Sequence, residues 1–506
     1  RINEALEAYK KAAEQDVNYA DPHNNMGILY SNMGRMTEAM KEYEKALRLR
    51  SEFPEAYNNL GTANQVQGTI EESVAAYRES LRIKPNYAEA RSNLLFALNY
   101  DVNISPEDLM LEYKAWDKLY GKTETPYEPH TNVPDPNRKL RVGYVSPDFR
   151  THSVSYYIEP IISAHNRDEY DVYAYAQVPN PDKVTARFKN MVQGWRNTCG
   201  INDEQLAEMV RRDEIDILVD LTGHTGRNRL PTFALKPAPV QVTYLGYPNT
   251  TGLSRIDYRL SDHEADPEGE TAWHSEELIR LPHGFLCYQP SMDAPKVNLP
   301  PVLNRGYITF GSFNSQSKVH KDVIKLWAQV MLAVPKSRML IKNRPMADAG
   351  IRDRVWNEFE KHGIDRIRVD LMGQIAATTN HLSTYNGIDI ALDTFPYNGT
   401  TTTCESLWMG VPVITLRGST HASRVGVSLM TRIGLSDLIG QNPEDYVRVA
   451  QELCNDRQRM LNLRWSLRQR MLESDLCNKN LITADIETAY RSMWQRWCAA
   501  QQSSST

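Results

Sequence analysis

Four hydroxyls in a row, Thr400, Thr401, Thr402 and Thr403, follow an Asn398-Gly399 turn and open an amphipathic stretch that ends before Pro412. The chemistry this spacing suits is anion binding. The first N–H groups of a helix lack intrahelical partners and stand at the positive end of its dipole, so a phosphate is favoured there. One threonine acting as a cap would explain one hydroxyl. The others, with Glu405 in the first turn, are left for a ligand. Lys318, in the glycine- and serine-bearing segment 311–320, could neutralise a diphosphate, although a solvated surface lysine is the commoner fate of a lone Lys. His152 in segment 146–153 and His224 in segment 220–226 each follow a short apolar run, where an imidazole can serve as base or donor near neutral pH. A loop histidine satisfied by its neighbours is the alternative for each. No two aspartates are separated by a single residue, so no Asp-x-Asp pair is offered to a divalent metal. Leaving-group charge would then fall to Lys318, the hydroxyls and a helix N-terminus.

Positioning such groups requires strands that end along one edge. Short apolar runs at 139–145, 170–175, 215–220 and 240–245 alternate with helical stretches, and a second series occupies 307–310, 338–342, 367–371, 388–392 and 411–416. This rhythm predicts two parallel sheets covered on both faces, with ligands at the carboxyl ends of their strands. The Asn398-Gly399 pair predicts a strand-to-helix turn of positive φ. Helices are expected over 444–459 and 482–497, followed by a structureless tail at 501–506.

The first hundred residues read differently. Asn24-Asn-Met-Gly27, Asn58-Asn-Leu-Gly61 and Ser92-Asn-Leu-Leu95 recur at a period of 34, with Ala5, Ala39 and Ser73, then Ala12, Ala46 and Ser80, keeping the same step. This is the tetratricopeptide pattern. Small residues at those positions let paired helices approach, and Pro85 falls where a repeat's second helix must stop. Residues 1–19 match only the second helix of a repeat and the chain does not begin with Met, so the repeats read as the C-terminal end of a longer array. Asn25, Asn59 and Asn93 share one repeat position, which that geometry places on a concave groove where amides could bind the main chain of an extended acceptor. Asparagines that satisfy neighbouring turns are the alternative.

Composition narrows the classes. A formal net charge of −5 over 506 residues argues against a nucleic-acid coat. The six scattered cysteines form no C-x-x-C pair, so neither a disulfide framework nor a zinc site is indicated, and reduced thiols suit the cytosol or nucleus. No apolar run approaches the roughly 18 to 20 residues of a membrane span. Asn398-Gly-Thr400 is formally a glycosylation acceptor, and a glycan there would block the turn.

Tetratricopeptide repeats joined to Leu140-Arg-Val-Gly-Tyr-Val-Ser-Pro-Asp-Phe149, Pro237-Ala-Pro-Val-Gln241, Leu245-Gly-Tyr-Pro-Asn-Thr-Thr-Gly252, Phe313-Asn314 with Lys318, and Asp393-Thr-Phe-Pro-Tyr397 resemble the intracellular protein O-glycosyltransferases related to O-GlcNAc transferase. Segments 398–407, 222–225 and 151–156 resemble the Spindly branch of that family, protein O-fucosyltransferases. The resemblance implies an α superhelix followed by an α/β GT-B fold of two doubly wound Rossmann-like domains. It implies inverting, metal-independent transfer of fucose from GDP-fucose to Ser or Thr of nuclear and cytosolic proteins selected by the repeats. By position, Lys318 would bind the diphosphate, Thr400, Thr401 and Thr402 its oxygens, Glu405 the ribose, His381 would lie by the base, and Asn314 would belong to the same nucleotide-sugar site. His152 falls at the family's active-site histidine, whose role as general base is unsettled.

The expected domains are repeats at 1–100, a helical linker at 101–137, Rossmann-like domains at 138–300 and 301–475, and a C-terminal helix with its tail at 476–506. Family members that use UDP carry a histidine in an Asn-Gly-His-Thr-Thr turn and a basic residue shortly before the base-side histidine. This chain has Thr400 and Ala377-Thr-Thr-Asn380, which weakens the case for a uracil pocket. A UDP-GlcNAc-dependent O-GlcNAc transferase and a repeat scaffold with a silent transferase module are the competing readings. Expected partners are a nucleotide sugar and acceptor proteins, with neither nucleic acid nor membrane, and a homodimer through the repeats is compatible with the organisation.

Overall fold

The computed structural model describes residues 2–122, 126–291, 293–375 and 378–504. The chain divides into two compact units, residues 1–103, 292–418 and 435–468 in the first, and 104–291, 419–434 and 469–506 in the second. This differs from the expected boundaries. The repeats group with the second Rossmann-like sheet, and residues 419–434 and 469–475 leave that sheet's unit for the other.

In the first unit, six helices form the repeats: Ile2–Gln15, Ala20–Asn32, Met36–Leu49, Pro54–Gln67, Ile70–Ile83 and Ala88–Leu98. The periodic small residues lie where predicted. Ala39, Ala46, Ser73 and Ser80 have no exposed surface, and Ser73 donates to the Gly61 carbonyl at 2.8 Å. The glycines of the first two motifs each face an aromatic ring of the next helix. A Cβ on Gly27 would stand 2.4 Å from Tyr43, and one on Gly61 would stand 2.7 Å from Tyr77. The repeats are bonded to the sheet domain. Thr37 donates from its amide and hydroxyl to Asp348 at 2.9 and 2.7 Å, Arg354 donates to the Gln67 carbonyl at 3.0 Å, and Lys321 pairs with Glu71 at 2.7 Å.

The second unit carries seven parallel strands, β1 (Leu140–Ser146), β2 (Tyr170–Ala176), β3 (Gly194–Asn197), β4 (Ile217–Asp220), β5 (Val240–Thr243), β6 (Tyr258–Ser261) and β7 (Glu277–Arg280), ordered 3-2-1-4-5-6-7. The first unit's sheet has β8 (Thr309–Ser312), β9 (Arg338–Lys342), β10 (Val369–Met372), β11 (Ile390–Leu392), β12 (Val413–Leu416) and β13 (Ile439–Gly440), ordered 10-9-8-11-12-13. Both orders reverse beside the first strand of the series, the position that opens a crevice at the carboxyl ends of a doubly wound sheet.

Two other expectations are corrected. The helix expected over 444–459 stops at Asn455, and a second, Arg457–Glu473, follows it. The tail expected to lack structure continues the helix Lys479–Ser504, while residues 505–506 lie outside the described residues. That helix is fastened in the second unit by Trp494, whose indole donates to the Asp135 carbonyl at 2.8 Å, and by Glu487, which accepts from His165 at 2.9 Å.

Candidate functional site

The threonine run sits at the start of the eight-residue helix Thr401–Trp408, reached from β11 through residues 393–400. The turn is built differently from the sequence expectation. Neither Asn398 nor Gly399 adopts a positive φ. Glycine is required instead by crowding, because a Cβ at 399 would lie 2.6 Å from Thr402 Oγ1, 2.8 Å from Thr403 Oγ1 and 3.0 Å from Asn314 Oδ1.

Asp393, at the end of β11, organises the turn. Its Oδ1 accepts from the amides of Thr394 and Gly399 at 2.8 and 2.7 Å, and its Oδ2 accepts from the Thr415 hydroxyl at 2.9 Å. Burial pushes its pKa up to about 6 against those hydrogen bonds. Thr403 is buried and donates to the Gly399 carbonyl at 3.0 Å, so one of the four hydroxyls is structural. Thr400, Thr401 and Thr402 are half-buried, and Thr402 donates to Asn314 Oδ1 at 2.8 Å.

Lys318 is brought to the same turn. Its Nζ donates to the Asn398 carbonyl at 2.6 Å and stands 3.9 Å from the centre of the Tyr397 ring. Burial pulls its pKa down to about 8, with the Asp393 charge acting in the opposite sense. A diphosphate beside Lys318 and the half-buried threonines would meet a cation, hydroxyl donors and the unpaired N–H groups of a helix start.

A second cluster adjoins it. The Nε2 of His381, in the short helix Thr378–Ser383, donates to Glu405 Oε2 at 2.9 Å, and the Tyr385 hydroxyl donates to the same oxygen at 3.2 Å. Lys342, at the end of β9, donates to His381 Nδ1, which fixes the neutral tautomer carrying its proton on Nε2. Burial pulls the Lys342 ammonium down to about 8, with Glu405 opposing. Phe313 lines the cluster, its ring 4.5 Å from that of Tyr385 and 4.8 Å from Lys342 Nζ. Lys342 and Asp393 were not singled out by sequence reasoning. The available signal was their place at the carboxyl ends of strands, the same signal that pointed to the histidines. Of the segment before His381, Ala377 lies outside the described residues.

The remaining residues lie elsewhere. His152, in the loop after β1 of the second unit, is 38% exposed; its Nδ1 accepts from the Val154 amide at 3.3 Å and lies 3.5 Å from Asp148. Burial lowers its pKa, with Asp148 pulling it up and Arg150 down. His224 corrects the expectation of a reactive loop histidine. Its ring is buried among Tyr113, Trp116 and Tyr247, and its Nε2 donates to the Thr251 carbonyl at 2.7 Å. Burial drops its pKa to about 4. Packing against Tyr113 and Trp116 makes it a core residue.

On the repeats, Asn25, Asn59 and Asn93 are half-buried at equivalent positions. Asn59 donates to Asn24 Oδ1 at 2.9 Å and Asn93 to Asn58 Oδ1 at 3.0 Å, so each spends one amide hydrogen on the adjacent repeat. A primary amide offers two donors and an acceptor, so this leaves capacity for a ligand.

Comparison with known proteins matches Glycosyl transferase family 41 at residues 112–292 and 301–486, and the TPR and tetratricopeptide repeat families at 1–34, 32–68 and 54–87. The probable UDP-N-acetylglucosamine–peptide N-acetylglucosaminyltransferase SPINDLY of Solanum lycopersicum is 46% identical over 409 residues, covering 80% of this chain and 44% of that protein. The protein of the same description named SEC, from Arabidopsis thaliana, is 30% identical over 375 residues, 72% of this chain and 38% of its own. The chain thus spans less than half the length of these curated relatives. Among solved structures, a mutant of Thermobaculum terrenum O-GlcNAc transferase superposes with a TM-score of 0.93 at 35% identity, covering 99% of this chain and 95% of that one. With its repeats followed by two doubly wound sheets and a phosphate-suited turn on the second, the chain belongs to glycosyl transferase family 41.

Proposed function

We propose that this chain is a protein O-fucosyltransferase that moves fucose from GDP-fucose to Ser or Thr of nuclear and cytosolic proteins held by its repeats. The observation that carries the transferase reading is the turn at 398–402, where Lys318, Thr400, Thr401 and Thr402 gather around one helix start. In this reading the acceptor hydroxyl attacks the sugar's anomeric carbon, the bond to the diphosphate oxygen breaks, and GDP leaves with its charge met by Lys318 and the threonines. The hydroxyl proton passes to a base. His152 is the active-site histidine the resemblance implies, its role as general base unsettled, and burial lowers its pKa.

Fucose rests on Thr400, which stands where UDP-using members of the family carry histidine. A second reading, transfer of GlcNAc from UDP-GlcNAc, is favoured by the names of the relatives and of the solved structure. Incubating the protein and a Ser/Thr-rich acceptor with each donor, in EDTA, separates them by the mass added to the acceptor. Addition of deoxyhexose from GDP-fucose is expected. Addition of N-acetylhexosamine alone, or activity that returns only with Mg²⁺, would overturn the proposal.

A further inference from the structure

Lys318 reaches the turn across an aromatic stack that begins in the repeats. The Tyr397 ring under its ammonium lies 5.0 Å from the Tyr100 ring at an interplanar angle of 28°, a stacked pair. Phe96 closes the cluster edge-on, 6.3 Å from Tyr397 and 5.4 Å from Tyr100. Phe96 belongs to the last repeat helix, Ala88–Leu98, and Tyr100 follows it, buried. Three aromatic rings from two distant parts of the chain thus meet, with Lys318 over one of them.

We infer that Tyr397 is a positioning residue for Lys318, and that Phe96 and Tyr100 hold it in place, making the end of the repeat array a structural part of the donor phosphate seat. This rests on the reading of that seat given above. The electrostatics require something of this kind. The neighbouring Asn398 carbonyl takes one hydrogen of the half-buried lysine's ammonium, and burial disfavours its charged form. The negative face of a π system stabilises the charged form where a neutral aliphatic wall would not. Stacking on Tyr100 fixes the plane of the Tyr397 ring, and edge-on contact with Phe96 limits its tilt. The repeats therefore act on the donor site through packing as well as through any acceptor they hold.

The test is GDP binding by calorimetry across pH for wild type, Tyr397→Phe, Tyr397→Leu and Tyr100→Leu. Tyr397→Phe keeps the ring face and is expected to keep the wild-type pH profile. Tyr397→Leu removes it, and the pH above which affinity declines should move down, with affinity near pH 8 lower by roughly 2- to 30-fold, the range of one partly desolvated cation–π contact. Should Tyr397→Leu fail to fold, Tyr100→Leu is expected to move the profile the same way by less. A profile that stays where the wild type has it in whichever leucine variant folds, even with uniformly weaker binding, overturns the inference. Failure of the wild type to bind GDP or UDP would instead overturn the reading of the seat itself.

Discussion

His381 and Glu405 are joined by a 2.9 Å hydrogen bond from imidazole Nε2 to carboxylate Oε2, which ties the short helix after β10 to the helix that starts with the threonine run. With Lys342 on the other ring nitrogen, the pair forms a relay whose ends are a cation and an anion. Replacing Glu405 by Ala should weaken nucleotide binding about 10-fold or more, because a hydrogen bond to a charged group contributes roughly 1.5–3 kcal/mol. Glu405→Gln, which retains an acceptor, should lose less. Calorimetric titration of both variants with nucleoside diphosphate checks the order, and equal affinities for Glu405→Ala and wild type would contradict it.

The two lysines set the pH response. Burial leaves both Lys318 and Lys342 with pKa values of about 8, below their ordinary value of 10.5. Below pH 8 both are charged before a diphosphate arrives, so affinity should be level. Above it the ligand must draw protons back onto them, and affinity should fall, by up to about tenfold per pH unit for each lysine. The unfolded chain holds those protons to higher pH, so between pH 8 and 10.5 the same two groups make stability rise. Lys318→Ala should flatten part of the binding profile and cost on the order of 10²-fold in transfer rate, as loss of a preorganised charge does. Binding that stays level well above pH 8 in the wild type would refute this assignment.

Gly399→Ala tests the crowding at the turn. The added methyl group meets the Thr402 and Thr403 hydroxyls and Asn314 Oδ1, all within 3.0 Å. Relief must break the Thr402–Asn314 or Thr403–Gly399 hydrogen bond, so the melting temperature should drop by an amount corresponding to about 1–3 kcal/mol, with donor affinity falling as well. Wild-type melting and binding would show that the seat is looser than the geometry indicates.

For the repeats, replacing Asn25, Asn59 and Asn93 with Ala should weaken modification of long acceptors, each lost hydrogen bond contributing roughly 0.5–1.5 kcal/mol, and leave donor hydrolysis nearly unchanged. Asn59 and Asn93 also bond Asn24 and Asn58, so some loss of thermal stability is expected alongside. Unaltered modification of a long acceptor at a concentration below its KM would confine these asparagines to packing between repeats.

Much of this organisation was legible in the sequence, for reasons that also mark where legibility ended. The repeats announce themselves because Ala39, Ala46, Ser73 and Ser80 must be small wherever helices touch, and β1, β2, β4, β5 and β9 because their interiors are apolar. Strands β3, β6, β7 and β13 were missed. Gly194–Asn197 and Glu277–Arg280 lie at sheet edges and carry charge, β6 is four residues with an arginine, and Ile439–Gly440 is two residues long. At the turn, the residue types singled out in the sequence, Lys318 and the threonines Thr400, Thr401 and Thr402, stand close together, with Glu405 on the same helix as the last two threonines, while His381 was placed only by the family resemblance and comes from the separate helix Thr378–Ser383. Residue type misled at His224, because the rings that bury it, Tyr113 and Trp116, lie over a hundred residues upstream on the helix Pro106–Tyr120. No local pattern records that packing. The positive φ expected at Asn398-Gly399 failed similarly, since the constraint on Gly399 comes from Asn314 and the following threonines.

The donor is the central claim, and side-by-side calorimetry of the wild-type protein with GDP and with UDP tests it most directly. Thr400 in place of histidine at the phosphate turn predicts that GDP binds more tightly than UDP under identical conditions. Tighter binding of UDP would contradict the account.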